Sequence, residues 1–408
     1  MAGMRGGLAA YLEGLPVVNT HAHHLESSEF QDFDLDALLD RSYVAWMRVP
    51  RDGTRGGRAE YLGMVRHTSR FLWLERALQS IHGFGGPLTP DNWQDISDLV
   101  ARAHRDPAYH LRLLTQTCGY RRIILDAYWN PGGDNGLPAF FAPAFRVDMF
   151  LVGYDREAKD RDGHNPLVAA GLEPMSMEAY AVFMREAIAA KARAGCVALK
   201  CTMAYDRGLD AAEAGRGLAE KAIQRGARAT PEEIRAYQDY VLFELCRIAA
   251  ELGLPMQFHT GLGSLARTNA LWLLDLIAKN PATTFVLFHG GYPWLDDIMG
   301  LVHNFQNVHV DLCWLPLLAP SAARRLMHEL IEVAAADRVC WGCDTWTSEE
   351  SYGALLAMRH VLACTLGERI EDGLMTEAGA RRVAGNILYE NARRLYKLGE
   401  LPALRLEA

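Results

Sequence analysis

The chain has 408 residues, half of them hydrophobic, and a formal net charge of -8. This composition supports a large hydrophobic core, and the scattered Lys and Arg residues argue against a nucleic-acid-binding surface. No stretch approaches the roughly eighteen apolar residues of a membrane-spanning helix, and the amino terminus lacks the apolar core of a secretory signal. We therefore expect a cytoplasmic protein that acts on a small molecule, with neither nucleic acid nor a membrane as partner.

Eight cysteines are spread along the chain. In a chain of this length they are typical of buried thiols in a reducing compartment and not of a disulfide framework. Cys340 and Cys343 form a C-x-x-C motif, but it lies inside the apolar run RVCWGCD and does not open a helix. We interpret this motif as strand packing, with redox chemistry as the weaker alternative.

Eight short apolar runs predict β-strands. The first, LPVVNTHAHH, covers residues 15–24, and the other seven follow from about residue 115, separated by segments of helical periodicity. Strands that alternate with helices form parallel βαβ units, and near-continuous hydrophobicity indicates that both faces are buried. Eight such units predict an α/β fold, a (β/α)8 TIM barrel. The later runs are RRIILDAYW, FRVDMFLVGY, GCVALKCT, LPMQFHTG, TFVLFHGG, NVHVDLCW and DRVCWGCD.

The segment between the first two predicted strands, residues 25–114, is too long for a single crossover. A loop that follows a barrel strand lies at the carboxyl-terminal face of the barrel, where active sites form. We therefore predict a barrel made of residues 1–24 and 115–400, with residues 25–114 as a helical insertion near its mouth. Three amphipathic stretches predict the helices of this insertion, at 34–49, 57–81 and 89–105.

Four histidines of the insertion lie on helical patterns among other polar residues. They are His67, His82, His104 and His110. We expect them to be solvated and not to bind a metal.

One helix is especially well defined by its sequence, TPEEIRAYQDYVLFELCRIAAELG at residues 230–253. Thr230 and Glu233 form a capping box, and Pro231 occupies the first helical position, where proline is tolerated. Gly253 ends the helix, and a predicted strand follows directly.

Polar side chains occur at the carboxyl ends of several predicted strands. Successive side chains of a strand alternate, so His21 and His23 share one face. His259 and His289 end consecutive strands, one αβ repeat apart. Because all barrel strands end at one mouth, we expect these side chains to converge. The full set consists of His21, His23, Lys200, His259, His289 and Asp344.

Four imidazoles and a carboxylate suit a borderline divalent ion such as zinc. Such an ion lowers the pKa of a bound water to about 7 and polarises a carbonyl group. Asp344 could then accept a proton from the water and pass it to a leaving group. Singly, a strand-end histidine is usually structural and Asp344 could cap a helix. Together, the residues predict metal-assisted hydrolysis.

Lys200 has two interpretations. An ammonium group cannot bind a metal, but a lysine carbamate formed with carbon dioxide offers a carboxylate that bridges two ions. Alternatively, Lys200 pairs with Asp344 or with the substrate. We favour the carboxylated, bridging form, which gives one or two zinc ions at the site.

The order H-x-H, Lys, His, His, Asp resembles the amidohydrolase superfamily of metal-dependent TIM-barrel hydrolases. Within it the chain is similar to the amidohydrolase-2 family, in the branch found as nodulin-like domains next to glutamine synthetase and as stand-alone proteins. The resemblance covers residues 15–30 and about 115–400. Its motifs are LKCTMAYDRGL, PMQFHTGLG, FVLFHGGYPW and GNILYENARRLYKL.

The resemblance implies roles for individual residues. His21, His23 and Asp344 would bind a first metal, and His259 and His289 a second if Lys200 bridges. In single-metal relatives, the residue at His259 binds the first metal and the one at His289 contacts substrate, so His289 and Asp344 are the expected catalytic residues.

Two further positions can be compared with the sequence pattern of the family. Asn19 stands where many relatives carry the Asp of D-x-H-x-H, a change that affects ligand orientation and not ligand identity. The tail at residues 391–396 would pack on the barrel as a structural helix.

Aromatic and basic residues near the strand ends are candidates for substrate contact. Arg207 could bind a carboxylate with its guanidinium fork, although a surface ion pair is an equal alternative. Other strand-end aromatics could instead wedge the insertion in place. The predicted substrate-binding residues are Tyr205, Arg207, Tyr292 and Trp294.

We therefore expect a hydrolase of a C–N bond (amide, lactam or deamination) or of an ester. The alternatives are a metal-dependent non-oxidative decarboxylase, a uronate-isomerase-like enzyme, and a binding or scaffold barrel without catalysis. Barrels of this type often self-associate, so a homo-oligomer is also compatible with the sequence.

Overall fold

A single eight-stranded parallel sheet organises the protein in a computed structural model that describes residues 2–333 and 336–404. The strands pair in chain order from β1 to β8, which confirms the predicted (β/α)8 TIM barrel. Their side chains are almost entirely buried, as expected of strands covered on both faces. The strands are β1 Val17–Ala22, β2 Tyr120–Leu125, β3 Phe141–Arg146, β4 Ala198–Cys201, β5 Met256–Phe258, β6 Phe285–Leu287, β7 Val308–Asp311 and β8 Val339–Cys340.

Backbone hydrogen bonds join β1 to the segment that follows β8. The Thr20 amide donates to the Trp341 carbonyl at 3.2 Å, and the Asp344 amide donates to the His21 carbonyl at 2.9 Å. Gly342 lies so close to β1 that a Cβ atom there would be 2.6 Å from the His21 nitrogen. A glycine is therefore required where the last strand meets the first, and this contact places Asp344 beside His21.

The helices surround the barrel and fill the long connection between β1 and β2. Predicted helix 57–81 is divided in two, because Thr68 precedes the start of a new helix. The helices are α1 Ala2–Glu13, α2 Leu35–Asp40, α3 Arg55–Val65, α4 Ser69–His82, α5 Trp93–His104, α6 Tyr109–Arg112, α7 Pro166–Ala170, α8 Met177–Arg193, α9 Arg216–Arg225, α10 Pro231–Leu252, α11 Leu274–Lys279, α12 Leu295–Asn304, α13 Leu315–Leu318, α14 Pro320–Val333, α15 Ser348–Glu371, α16 Glu377–Gly385 and α17 Asn391–Leu395.

The insertion, residues 25–114, has a small hydrophobic core of its own. Phe30, Leu38, Leu62 and Trp93 are among its buried members. Its α4 also packs along α15, which directly follows the Asp344 loop. The insertion is thereby attached to the part of the barrel that carries Asp344.

Two local predictions are confirmed by the structure. Helix α10 begins with the predicted capping box of Thr230 and Glu233 and ends at Gly253, whose φ is 64°. The tail helix α17 packs beneath the barrel, where the Asn391 side chain donates to the carbonyls of Ala336 and Val339 at 2.7 Å each.

The cysteines are free thiols, and all but the half-buried Cys364 are buried. Burial raises the pKa of both Cys340 and Cys343, which is the opposite of what redox catalysis requires. The side-chain amide of Asn19 in β1 donates to the Cys343 sulfur at 3.0 Å. This thiol therefore stabilises the contact between β1 and the segment that follows β8. Among the described residues, no helix is both long and apolar enough to cross a bilayer.

Candidate metal centre

The barrel brings the six predicted strand-end residues to one buried region at its mouth. His21 lies in β1, Lys200 lies in β4, and the others follow the ends of β1, β5, β6 and β8. None of the six residues is more than 7 % exposed. The six are His21, His23, Lys200, His259, His289 and Asp344.

His21, His23 and Asp344 form the first donor group. Asp344 Oδ1 lies 3.1 Å from His21 Nε2 and 3.2 Å from His23 Nε2. Ligands about 2.0–2.1 Å from a tetrahedral zinc ion are about 3.3 Å from one another. These three atoms are therefore spaced as ligands of one ion, and they are one of two such groups among the described residues.

The tautomer of His23 is set by a backbone carbonyl. His23 Nδ1 donates to the Asp126 carbonyl oxygen at 2.8 Å, which leaves a lone pair on Nε2 facing the Asp344 carboxylate. A hydrogen bond from the second ring nitrogen is the usual way in which a ligand histidine is oriented. A lone pair facing a carboxylate is favourable only when a cation lies between them.

His259 and His289 form a second pair of facing donors. His289 Nδ1 donates to the Cys313 carbonyl at 3.0 Å, and His259 Nε2 donates to the Leu262 carbonyl at 2.5 Å. The remaining nitrogens, His289 Nε2 and His259 Nδ1, are 2.9 Å apart. Burial lowers the pKa of both rings, that of His289 to about 4. Two neutral rings thus present lone pairs to each other, as in a cation site.

The charge state of Asp344 completes the donor set. Burial alone would raise its pKa, but the direct contacts with His21 and His23 and the charges of His21 and His289 hold it well below the ordinary value. Burial lowers the pKa of His21 to about 3. The carboxylate is therefore ionised next to the neutral imidazole of His21, a protonation state that suits a divalent ion.

The backbone at three strand ends adopts a left-handed conformation. His289, Trp314 and Asp344 have φ values of 63°, 62° and 62°. Such angles are uncommon for residues with side chains and cluster at functional sites. They turn the two donor side chains into the barrel mouth just after β6 and β8.

Lys200 is buried in the wall of the same site. Its Nζ lies 3.8 Å from the centre of the Phe288 ring, and burial lowers its pKa. A larger neutral fraction favours reaction of the amine with carbon dioxide, because only the free base is nucleophilic. The geometry is thus compatible with a carbamate, which stays a prediction.

Asp126 and Arg146 form an ion pair at the ends of β2 and β3 that sequence reasoning missed. Arg146 Nε donates to Asp126 Oδ1 and Arg146 Nη2 to Asp126 Oδ2, both at 2.9 Å. Asp126 Oδ2 is also 3.9 Å from His21 Nε2 and from His23 Nδ1. Asp126 directly follows β2, but the sequence placed the third strand at residues 145–154, so Arg146 was expected at the start of that strand and not at its end. This placement was wrong, because β3 is Phe141–Arg146 and a 3-10 helix follows it.

Tyr43, from the insertion, also contacts the centre. Its hydroxyl donates to Asp344 Oδ2 at 2.6 Å, on the oxygen that does not face the imidazoles. Its backbone amide donates to Glu350 Oε1 at 2.6 Å, which fixes the segment that carries it. The sequence placed this tyrosine inside a predicted helix at 34–49, which was wrong: α2 ends at Asp40, and Tyr43 lies in the turn that follows.

The centre opens into a cavity of about 260 Å³. Its lower wall is polar and its rim is aromatic, so it can hold a ring-bearing polar ligand. The lining residues are His21, His23, Tyr43, Trp46, Tyr128, Arg146, Arg161, Asp162, Lys200, Thr202, Tyr205, His259, Asp344 and Trp346.

Of the four predicted substrate-binding residues, Tyr205 lines this cavity and the others do not. Arg207 Nη2 pairs with Asp239 Oδ1 at 2.5 Å, in the ion pair that the sequence left as an alternative. Tyr292 and Trp294 lie in the turn after His289, away from the lining. Substrate contact by these three residues stays a prediction without support from the cavity.

The expectation for the insertion histidines was wrong at two positions. His104 and His110 are each 3 % exposed, His82 is half-buried, and His67 is exposed as expected. His104 Nε2 lies 2.6 Å from Glu349 Oε1, and the His110 ring is 5.2 Å from the His24 ring. Tertiary packing against the barrel buries a helix face that its local sequence shows as polar.

The chain's fold and donor set define the class of barrel scaffold shared by metal-dependent hydrolases and isomerases. It belongs to the amidohydrolase family, whose model, described as Amidohydrolase, matches residues 99–398. The family implies a divalent metal, and the donor atoms described above fit one.

Individual relatives share the fold over nearly the whole chain. Uronate isomerase from Thermotoga maritima superposes with a TM-score of 0.76 at 16% identity, covering 97% of each chain. Glucuronate isomerase from Caulobacter crescentus gives 0.75 at 18% identity, covering 98% of this chain and 95% of the other. At these identities the likeness shows the fold alone.

A curated relative matches by sequence. Protein fluG of Emericella nidulans is 28% identical over 242 residues, which are 55% of this chain. The match spans only 28% of the length of that protein.

Proposed function

We propose that this protein is a metal-dependent hydrolase that cleaves a C–N bond (amide, lactam or deamination) or an ester. The observation that carries the proposal is the convergence of His21 Nε2, His23 Nε2 and Asp344 Oδ1 within hydrogen-bonding distance. In the tautomer fixed by its Nδ1 hydrogen bond, His23 faces the anionic Asp344 Oδ1 with a lone pair, and a divalent cation between the two atoms resolves that conflict. Membership of the amidohydrolase family supports it.

The residues have distinct tasks in this proposal. His21, His23 and Asp344 hold the ion, which supplies Lewis acidity and a water of lowered pKa. Asp344 accepts the proton of the attacking water and transfers it to the leaving group. Tyr43 holds Asp344 Oδ2 through its hydroxyl, so that the carboxylate keeps one orientation during both transfers.

The rest of the centre supports a second ion or the substrate. We propose zinc as the metal, because imidazole and carboxylate ligands suit it. With Lys200 carboxylated, His259 and His289 would hold a second ion. With an unmodified Lys200, His289 would contact the substrate and one ion would be bound.

The test is metal analysis combined with a substrate screen on protein purified without chelator. We expect one or two equivalents of zinc per chain and turnover of members of an amide, lactam, aminoheterocycle or ester panel. His23→Ala is expected to lose both metal and turnover while the circular dichroism spectrum is retained. Protein that neither contains nor takes up zinc, manganese, iron or cobalt would overturn the proposal.

The same screen separates the alternatives. Release of carbon dioxide from a carboxylic acid, with one ion and unmodified Lys200, would identify a decarboxylase. Interconversion of open-chain uronates without a hydrolysis product would identify an isomerase. A scaffold would keep its partner binding in the metal-free His23→Ala variant.

A further inference from the structure

Three cationic side chains line the cavity, and two of them are already engaged. Arg146 is held by Asp126 and Asp162 from two sides. Lys200 is buried against Phe288 at the base. Neither can turn towards a ligand without leaving a buried partner.

Arg161 is the third cation, and it lies at the open side of the cavity. Its guanidinium carbon is 4.4 Å from the centre of the Tyr205 ring. The side chain is exposed, and among residues 2–333 and 336–404 it forms no ion pair with a carboxylate. Its backbone amide and its charge both lower the pKa of the neighbouring Asp206, whose pKa is raised overall by burial, and Asp162 beside it is paired with Arg146.

The stacked Tyr205 connects Arg161 to the metal centre. The Tyr205 ring also approaches His259, with ring centroids 4.4 Å apart and the hydroxyl 3.5 Å from His259 Nδ1. The guanidinium and a candidate metal ligand therefore contact the same aromatic ring. A cation held flat on a ring keeps its fork of N–H donors free at the edge.

The opposite wall is aromatic. Trp346 stacks on the His23 ring at 5.4 Å, and Tyr128 meets the same ring edge-on. Trp46, from the insertion, is 56 % exposed at the rim. A large exposed tryptophan beside a polar cavity favours a flat ligand that covers it.

We propose that Arg161 is the specificity residue of this site and that it binds a carboxylate of the substrate. The substrate class is a ring-bearing carboxylic acid whose reacting bond lies about one ring away from its carboxylate. The bidentate fork of arginine matches a planar carboxylate. This inference rests on the proposed function for the reacting bond, but carboxylate binding can be measured without it.

The experiment is isothermal titration calorimetry with benzoate and with benzamide, its neutral isostere, on metal-free and zinc-loaded protein. The metal-free arm removes direct carboxylate–zinc contact. We expect metal-free wild-type protein to bind benzoate about tenfold more tightly than benzamide, as one charge-assisted contact supplies. Arg161→Gln should lose that preference and Arg161→Lys should retain part of it.

Arg216→Gln is the matched control, since Arg216 pairs with Glu178 on the surface outside the cavity. It should bind both probes as wild type does. Benzoate affinity of Arg161→Gln within twofold of wild type, or no benzoate preference in wild type, would overturn the inference. Failure of the proposed function would show instead as absent metal and absent hydrolysis, whatever the benzoate result.

Discussion

Two buried groups of histidines and carboxylates lie near each other at the barrel mouth, and they differ in kind. In the candidate metal centre, one carboxylate oxygen, Asp344 Oδ1, meets both His21 Nε2 and His23 Nε2, at 3.1 and 3.2 Å. In the insertion cluster, composed of His24, His104, His110 and Glu349, the close contact is a single pair, His104 with Glu349 at 2.6 Å.

The two groups differ in the hydrogen bond made by the second nitrogen of each imidazole ring. His23 and His289 each donate a hydrogen bond from Nδ1 to a backbone carbonyl, so the Nε2 atom of the neutral ring can only accept a hydrogen bond or bind a cation. Both nitrogens of His110 lack a hydrogen-bond partner among the described residues, so nothing aims this ring at a common point. The orienting hydrogen bonds of His23 and His289 therefore distinguish the candidate metal centre from the insertion cluster, whereas His21 Nδ1, like both nitrogens of His110, has no partner among the described residues.

Replacing the carboxylate of each group by its amide should give the largest difference in turnover between the two groups. Asp344→Asn removes the proton acceptor, and we expect turnover to fall by roughly 10²–10⁴-fold. Glu349 lies outside the cavity, and Glu349→Gln retains a buried group that forms hydrogen bonds. This substitution should leave turnover within a few-fold of the wild-type value. Steady-state kinetics on the best substrate from the screen give both values, and equal losses would remove the functional distinction.

Exchanging one histidine from each group tests metal binding directly. His23→Ala removes a proposed ligand and should reduce bound zinc to a small fraction of wild type. His104→Ala should keep its metal and instead lower the free energy of unfolding, because it leaves the Glu349 charge buried without its partner. Metal analysis and denaturant unfolding distinguish these outcomes; a His104→Ala protein depleted of zinc would contradict the separation.

The insertion cluster should also have a characteristic pH dependence. Burial would raise the pKa of Glu349, but the hydrogen bond and charge of His104 lower it to about 2, against 4.5 in the unfolded chain. The folded form thus binds this proton less readily, and the pair stabilises the protein above pH 4.5. That contribution, up to about 3 kcal/mol, is lost as pH falls from 4.5 towards 2. In Glu349→Gln, the free energy of unfolding should depend less on pH between pH 5 and 3 than it does in the wild type.

Tyr43→Phe is expected to have the smallest effect on the metal centre. It removes the hydroxyl that bonds Asp344 Oδ2 but keeps the ring stacked on Trp314, 4.7 Å away. Losing one hydrogen bond to a charged group should lower turnover by about tenfold and leave zinc content unchanged. Loss of zinc from this variant would instead show that the Tyr43 hydroxyl is needed to retain the metal.

Much of the site was predictable because the strands carry it. The alternation of side chains and the shared direction of the strands were enough to place His21, His23 and Asp344 together. Asp126 and Arg146 were missed for two reasons: a lone carboxylate inside the run RRIILDAYW has no pattern that marks it, and the third strand was predicted at 145–154 although β3 ends at Arg146.

Other residues were beyond prediction because their partners are remote in sequence. Arg207 looked suited to a carboxylate, yet it is paired with Asp239 of α10, and the cavity receives Arg161 instead. His104 and His110 looked solvated, yet the insertion folds back onto α15 and buries them.

The sequence by itself determined the barrel, the order of its strands and the donor residues at their ends, because these depend on local periodicity and on the polarity of parallel strands. The tertiary structure alone decided which nitrogen of each ring faces inward, which arginine reaches the cavity, and which insertion residue contacts Asp344. Those choices depend on hydrogen bonds between residues as far apart as Tyr43 and Asp344, and no local pattern encodes them.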